Sequence, residues 1–228
     1  MKLTRDKINI RHSVTFSRPS PTLASQGARL LEGLMEELAE NYTVTSKDVA
    51  IRNAGALDEW AITVSLFNRL GNMKITVDGI ECTYTGLTTD GDIAVVVDVQ
   101  RRLLSALAVQ FPTLKTRNEG ISGSVVYSVE GGHEERDAYF ARVSFPGRSS
   151  SHLDVSFKAR RRLEGYEMIG AFELAPVWAD PSKVLMSFDV DTSQLPITEF
   201  PERAALVDRL VAESMASFDL QHTDGATR

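Results

Sequence analysis

Four clusters in this sequence carry residue types that could do chemistry. Asp189 and Asp191 are two positions apart in a stretch of strand character, so both carboxylates fall on one face, where Ser187 could join them around a divalent cation. Such a cation wants roughly six or more oxygens, and the outer face of a strand needs no ligand at all. The pair therefore reads as a solvated face, and no metal is expected. The run Gly131-Gly132-His133-Glu134-Glu135-Arg136-Asp137 gathers a histidine and acids that could exchange protons. Its spacing does not match a zinc helix, and two glycines read as a charged hairpin tip between strands. Ser149, Ser150, Ser151, His152 and Asp154 include every residue type of a serine triad. Adjacency in sequence does not make the relay geometry, and no strained nucleophile elbow is present, so this reads as a polar loop with no catalytic residue.

Lys158, Arg160, Arg161 and Arg162 form the densest basic patch. Arginine forks suit phosphate oxygens, but Glu164 and Glu167 follow at once and no aromatic residues interleave with the cations. With 25 basic against 31 acidic residues and a net charge of −6, the chain as a whole repels polyanions, so nucleic acid is disfavoured as a partner. Gly120-Ile121-Ser122-Gly123 has the look of a short RNA-binding glycine loop, but it enters a strand instead of joining helices. Cys82 is the single cysteine, which excludes an internal disulfide, suits a reducing cytoplasm and reads as a small buried residue. No cofactor motif is present.

The elements that must position these residues follow from length, composition and periodicity. At 228 residues, 43% apolar and 25% charged, the chain has the composition of an ordinary globular protein, as one large domain or two small ones. The first residues lack the continuous apolar segment of a secretion signal, and the longest apolar run, residues 93–97, is far too short for a membrane span. No membrane association is expected. Residues 1–22 read as an N-terminal strand and a linker containing Pro19 and Pro21. Leu23, Leu30, Leu31, Leu34, Leu38 and Tyr42 recur at helical spacing over residues 23–42. Trp60, Ile62, Val64 and Leu66 alternate, as do Ile75 and Val77 after a turn at residues 70–72, which predicts a hairpin flanked by short strands at 49–52 and 82–85. Asp90 and Asp92 open a helix that Pro112 stops. Strands are predicted at 124–129, 139–145, 153–158, 166–174 and 184–190, in a meander, before a final amphipathic helix carrying Leu206, Leu210 and Met215. Residues 219–228 read as a flexible tail.

The strand, turn and helix of residues 73–111, the strand 121–129 and the ending Val184-Leu185-Met186-Ser187-Phe188-Asp189-Val190-Asp191 before a helix carry a resemblance. In this order the chain resembles an uncharacterised prokaryotic family of duplicated-looking α+β proteins of similar length. That resemblance implies no activity and transfers no site residue. The expected fold is α+β: curved antiparallel sheet covered by three amphipathic helices over residues 23–218, with 23–112 and 113–218 as two similar strand-then-helix halves.

The expected function is a non-catalytic cytoplasmic protein–protein interaction module that self-associates, because several strands leave sheet edges available and no catalytic constellation is present. The alternative is a carrier or sensor of an apolar small molecule. In that reading Tyr127, Phe145, Phe157, Tyr166, Met168 and Phe172 line a cavity under the C-terminal helix, although alternating aromatic residues equally make plain core. Trp60 reads as core, and Trp178, between Pro176 and Pro181, as either a cap on the sheet or a contact surface.

Overall fold

The structure, a computed structural model, describes residues 1–39, 41–52, 55–67, 69–143, 155–163, 166–195 and 199–223. The chain is α+β and its sheet is dominated by antiparallel pairs. It divides into two compact units, one of Met1–Asn9, Ser122–Asp191 and Ala205–Arg228, the other of Ile10–Ile121 and Thr192–Ala204. Two long strands, β1 (Lys2–Phe16) and β6 (Thr116–Val129), supply residues to both units, so the units interleave in sequence and do not follow one another across a cut near 112. Among the described residues no helix is long and apolar enough to cross a membrane.

In the unit built on Ile10–Ile121, the linker prolines end β1, and Pro21 opens a five-residue helix α1 (Pro21–Ser25). The helix expected over 23–42 is broken at Gln26, and its main body is α2 (Gly27–Ala39). Gly27 allows the Trp60 ring to sit against the helix, since a Cβ there would lie 2.6 Å from Trp60 Cζ2. Strands β2 (Val49–Arg52), β3 (Ala61–Leu66), β4 (Gly71–Thr76) and β5 (Gly79–Leu87) form an antiparallel meander, and β1 follows β5 in the strand order. Alternation puts Ile62, Val64, Met73, Ile75, Cys82 and Tyr84 in the core. Helix α3 (Asp90–Gln110) begins at a capping box, with the Thr89 hydroxyl accepting from the Asp92 amide at 3.1 Å and the Asp92 carboxylate accepting from the Thr89 amide at 2.8 Å. It contributes Val96, Val99, Leu103 and Leu107, and α2 contributes Leu30, Leu34 and Leu38. Each such side chain contributes about 1.5–3 kcal/mol by leaving water.

In the other unit, the remainder of β6 neighbours β9 (Lys183–Asp191), then β8 (Tyr166–Pro176) and the edge strand β7 (Val155–Leu163). The expected meander holds for β7, β8 and β9, whose register pairs Phe157 with Phe172 and Phe172 with Phe188. Helix α5 (Phe200–Ser217) begins with Glu202 in its first turn, and its Leu210 lies close to Gly170 of β8.

Two expectations fail here. Residues 139–143 of the stretch expected as a strand are not one: Gly132–Val143 form helix α4, with Tyr139 and Phe140 buried, and 144 and 145 lie outside the described residues. Gly132 takes φ +67°, a left-handed value that ends β6 and redirects the chain, so the two glycines make a strand-to-helix corner and not a hairpin tip. Glu134 and Glu135 in the first turn and Arg142 in the last then match the helix dipole. The segment after 218 is also not wholly a free tail. Leu220 is buried, and β10 (Gln221–Thr223) pairs parallel with β1 through Lys2, Leu3 and Thr4.

Candidate functional site

The titratable side chains that meet most closely are ones the sequence did not single out. His12 follows the inward alternation of β1 among Val14 and Phe16 and is 1% exposed. Gln100 occupies a core position of α3 between Val96, Val99 and Leu103 and is fully buried. The Gln100 Nε2 donates to the Tyr84 hydroxyl at 2.6 Å, so its Oε1 faces His12 Nδ1 at 2.8 Å as an acceptor. The other ring nitrogen, Nε2, is 3.0 Å from Glu119 Oε1, and the second carboxylate oxygen of Glu119 is bound by the Arg203 guanidinium. A proton on Nδ1 serves Gln100 and one on Nε2 serves the carboxylate. Carrying both, the ring places Glu119 between two cations.

The backbone holds this arrangement. The Glu119 amide donates to Ser193 Oγ at 2.8 Å, and the Glu119 carbonyl accepts from the Thr192 amide at 2.9 Å and the Thr192 hydroxyl at 3.0 Å. Phe200 meets the His12 ring edge-on, with centroids 4.8 Å apart. Burial would raise the Glu119 pKa, but the hydrogen bond and charge of His12, with Arg203 beside them, overcome it and hold the carboxyl below its usual range. Chemically this is a charge network, but not an open one: both ring nitrogens are occupied by protein oxygens and the ring is sealed, so His12 is not presented to a substrate.

Two surfaces of the same unit are open. Strand β2 ends the strand order; among the described residues it pairs with β3 on one side only, and Ile51 is 46% exposed, as is Leu57 at 45% in the turn that follows. Separately, Tyr42, Phe67, Leu70, Leu87, Val95 and Val96 line a largely apolar cleft of about 390 Å³. Its rim is braced by Tyr42, whose hydroxyl donates to Asp98 at 3.0 Å. The Asp98 carboxyl is held at about 2 by its hydrogen bonds from Arg102 and Arg101. Phe67 adopts φ +52°, a strained value for an aromatic residue, with its ring 5.5 Å from that of Tyr42.

The residues expected from sequence fall elsewhere. Asp189 and Asp191 share the outer face of β9 and are exposed, and no cluster of three metal-ligating side chains exists among the described residues. His133 is an exposed residue of α4's first turn. The residues 149–152 and 154, and Phe145 of the expected cavity, lie outside the described residues. The basic patch lies on edge strand β7, where the register places Lys158, Arg160 and Arg162 on one face and Arg161 on the other. Phe157, Tyr166, Met168 and Phe172 occupy positions on a single face of β7 and β8, the face on which Phe172 and Leu174 are buried. Tyr127 is also buried, its hydroxyl 3.4 Å from Met215 Sδ of α5, and burial pushes its pKa up to about 12. Cys82 is buried too, and its thiol is pushed up to about 12 by that burial.

The signal for the missed network was a polar residue at a core position: His12 in an alternating strand and Gln100 on the apolar stripe of a helix. The partners were not signalled, because they lie 88 and 107 positions from His12 in the chain.

No family model matches this chain, and no curated protein matches it. A solved structure, Methanococcus jannaschii TBP, aligns over 91% of this chain and 95% of that one, at 11% identity and a TM-score of 0.30. At that score the likeness carries no argument about function.

Proposed function

We propose that this protein is a non-catalytic cytoplasmic protein–protein interaction module that associates with a second copy of itself through the edge strand β2. The carrying observation is the difference between the two sheet edges. Edge strand β7 bears Lys158, Arg160, Arg161 and Arg162, the kind of charge that resists strand addition, whereas β2 reads Val-Ala-Ile-Arg with Ile51 exposed. An antiparallel pairing of two copies of β2 would satisfy their outward backbone groups and cover Ile51. Four residues supply few hydrogen bonds, each worth about 0.5–1.5 kcal/mol net, against an association cost of about 4 kcal/mol or more. Covering Ile51 on both copies adds about 1.5–3 kcal/mol each, so the net is about 4 kcal/mol and the association is weak, roughly millimolar. Sedimentation velocity over a concentration series tests it. The wild-type mass should rise above 25.1 kDa with concentration, and Ile51→Lys should hold it there. A wild type that stays monomeric at all concentrations refutes the proposal.

A carrier reading is favoured at a place other than the cavity expected under the C-terminal helix, namely the apolar cleft beside Phe67, whose volume of about 390 Å³ suits a small ligand. An environment-sensitive apolar dye should bind there saturably and be excluded by Val95→Trp; binding unaffected by that substitution counts against it.

A further inference from the structure

A second cleft in the unit built on Ile10–Ile121 has the opposite character. It encloses about 600 Å³ between the loop that leaves β1 and the loop that follows α3, and Ser17, Arg18, Ser20, Thr22, Thr113 and Lys115 line it. No carboxylate is among its lining residues, in a chain whose net charge is −6. Among the described residues neither Arg18 nor Lys115 is ion-paired, so both charges are available to a ligand. The walls are fixed before any ligand arrives. The Ser17 amide donates to the Lys115 carbonyl at 2.8 Å, the Ser17 hydroxyl donates to the Thr116 carbonyl at 3.0 Å, and the Ser20 amide donates to the Val77 carbonyl at 2.8 Å. Pro19 and Pro21 stiffen the same loop, and buried Phe111 forms part of the lining. Preorganised donors lose little entropy on binding.

We propose that this cleft binds a phosphate-bearing small molecule, with the Arg18 guanidinium and the Lys115 ammonium engaging its oxygens and the Ser20, Thr22 and Thr113 hydroxyls completing their hydrogen bonds. Arginine supplies a planar two-pronged contact and lysine a point charge, a combination matched to a tetrahedral oxyanion. One feature opposes the anion: α3 ends at Gln110, and a helix C-terminus carries about half a negative charge. Two full positive charges outweigh it, and each contributes to holding the anion.

Titration of the full chain with pyrophosphate and with inorganic phosphate, followed by calorimetry and by amide chemical shifts, tests this. Saturable binding is expected, tighter for pyrophosphate, weakening as salt is raised. Arg18→Gln and Lys115→Gln should each weaken it about tenfold, with the thermal midpoint unchanged, since neither side chain is ion-paired among the described residues. Arg117→Gln, which alters an exposed cation outside the cleft, should leave affinity unchanged. Absence of saturable binding overturns the proposal, and so does an Arg117→Gln loss as large as that of Arg18→Gln, which would indicate a diffuse basic field.

Discussion

The buried amide of Gln100 offers a stringent test of the network around His12. Gln100→Leu keeps the side-chain volume but removes both hydrogen bonds, leaving the Tyr84 hydroxyl and the His12 Nδ1 proton unpaired in positions that are 1% exposed. Each orphaned group costs about 1–3 kcal/mol, and leucine's greater apolarity offsets part of this, giving a net loss of about 3 kcal/mol. Tyr84→Phe orphans only the Gln100 amide proton and should cost about 1.5 kcal/mol. In the double variant the Tyr84 orphan and the Gln100 orphan both vanish and only the His12 proton is left without its acceptor. The double should therefore cost about 1.5 kcal/mol, less than the sum of the singles by about 3 kcal/mol. The assay is urea unfolding followed by the emission of Trp60, which is buried in the same unit, in a Trp178→Phe background that silences the 69% exposed second indole. Additivity within about 0.5 kcal/mol would refute the reading of these three side chains as one bonded chain, as would a Gln100→Leu cost below about 1 kcal/mol.

Two further outcomes follow from the same unit. Because the Glu119 pKa is lowered from its usual 4.5, its contribution is fully present above that value and is lost as pH falls through the depressed folded value. Urea midpoints measured from neutral pH downward should show this acid loss in the wild type and a shallower one in Glu119→Gln; parallel acid profiles would contradict the assignment. In the β3–β4 turn, Arg69 has φ +74° and is exposed, so Arg69→Gly should raise stability by about 1 kcal/mol by removing left-handed strain. Phe67→Gly relieves similar strain but forfeits the ring against Tyr42, so the same unfolding assay should show it destabilised.

What could be read in the sequence was what depends on near neighbours. The meander of β2 to β5 and the helix from Asp90 follow from alternation, turn residues and an acidic first turn, all within a few positions. Helix α4 was missed for the same reason. Tyr139, Phe140 and Val143 have strand preferences, and Gly131-Gly132 fits a hairpin as well as it fits a corner; only packing of Tyr139 and Phe140 into the core decides for helix. Strand β10 was missed because three polar residues carry no pattern, and what holds them is the exposed ladder of β1 and the buried Leu220.

The same arithmetic explains why the expected site residues and the residues that meet are different ones. Spacing of two assigns a face: Asp189 and Asp191 fall opposite buried Val184, Met186, Phe188 and Val190, and His12 falls with buried Val14 and Phe16. A face, however, is not a neighbourhood. Two acids on an outer face are screened from one another by water. A histidine on an inner face must find partners or suffer the cost of an unpaired buried polar group, so its presence there obliges the fold to bring Gln100 and Glu119 to it. Density of charged residue types along a chain therefore points toward solvent, while a single polar residue that breaks an apolar pattern points toward a specific, distant partner. In this protein the second kind of signal marks the charge network. The open surfaces, the β2 edge and the Arg18 and Lys115 cleft, are marked instead by residues left without a covering neighbour, a property that only the assembled fold reveals.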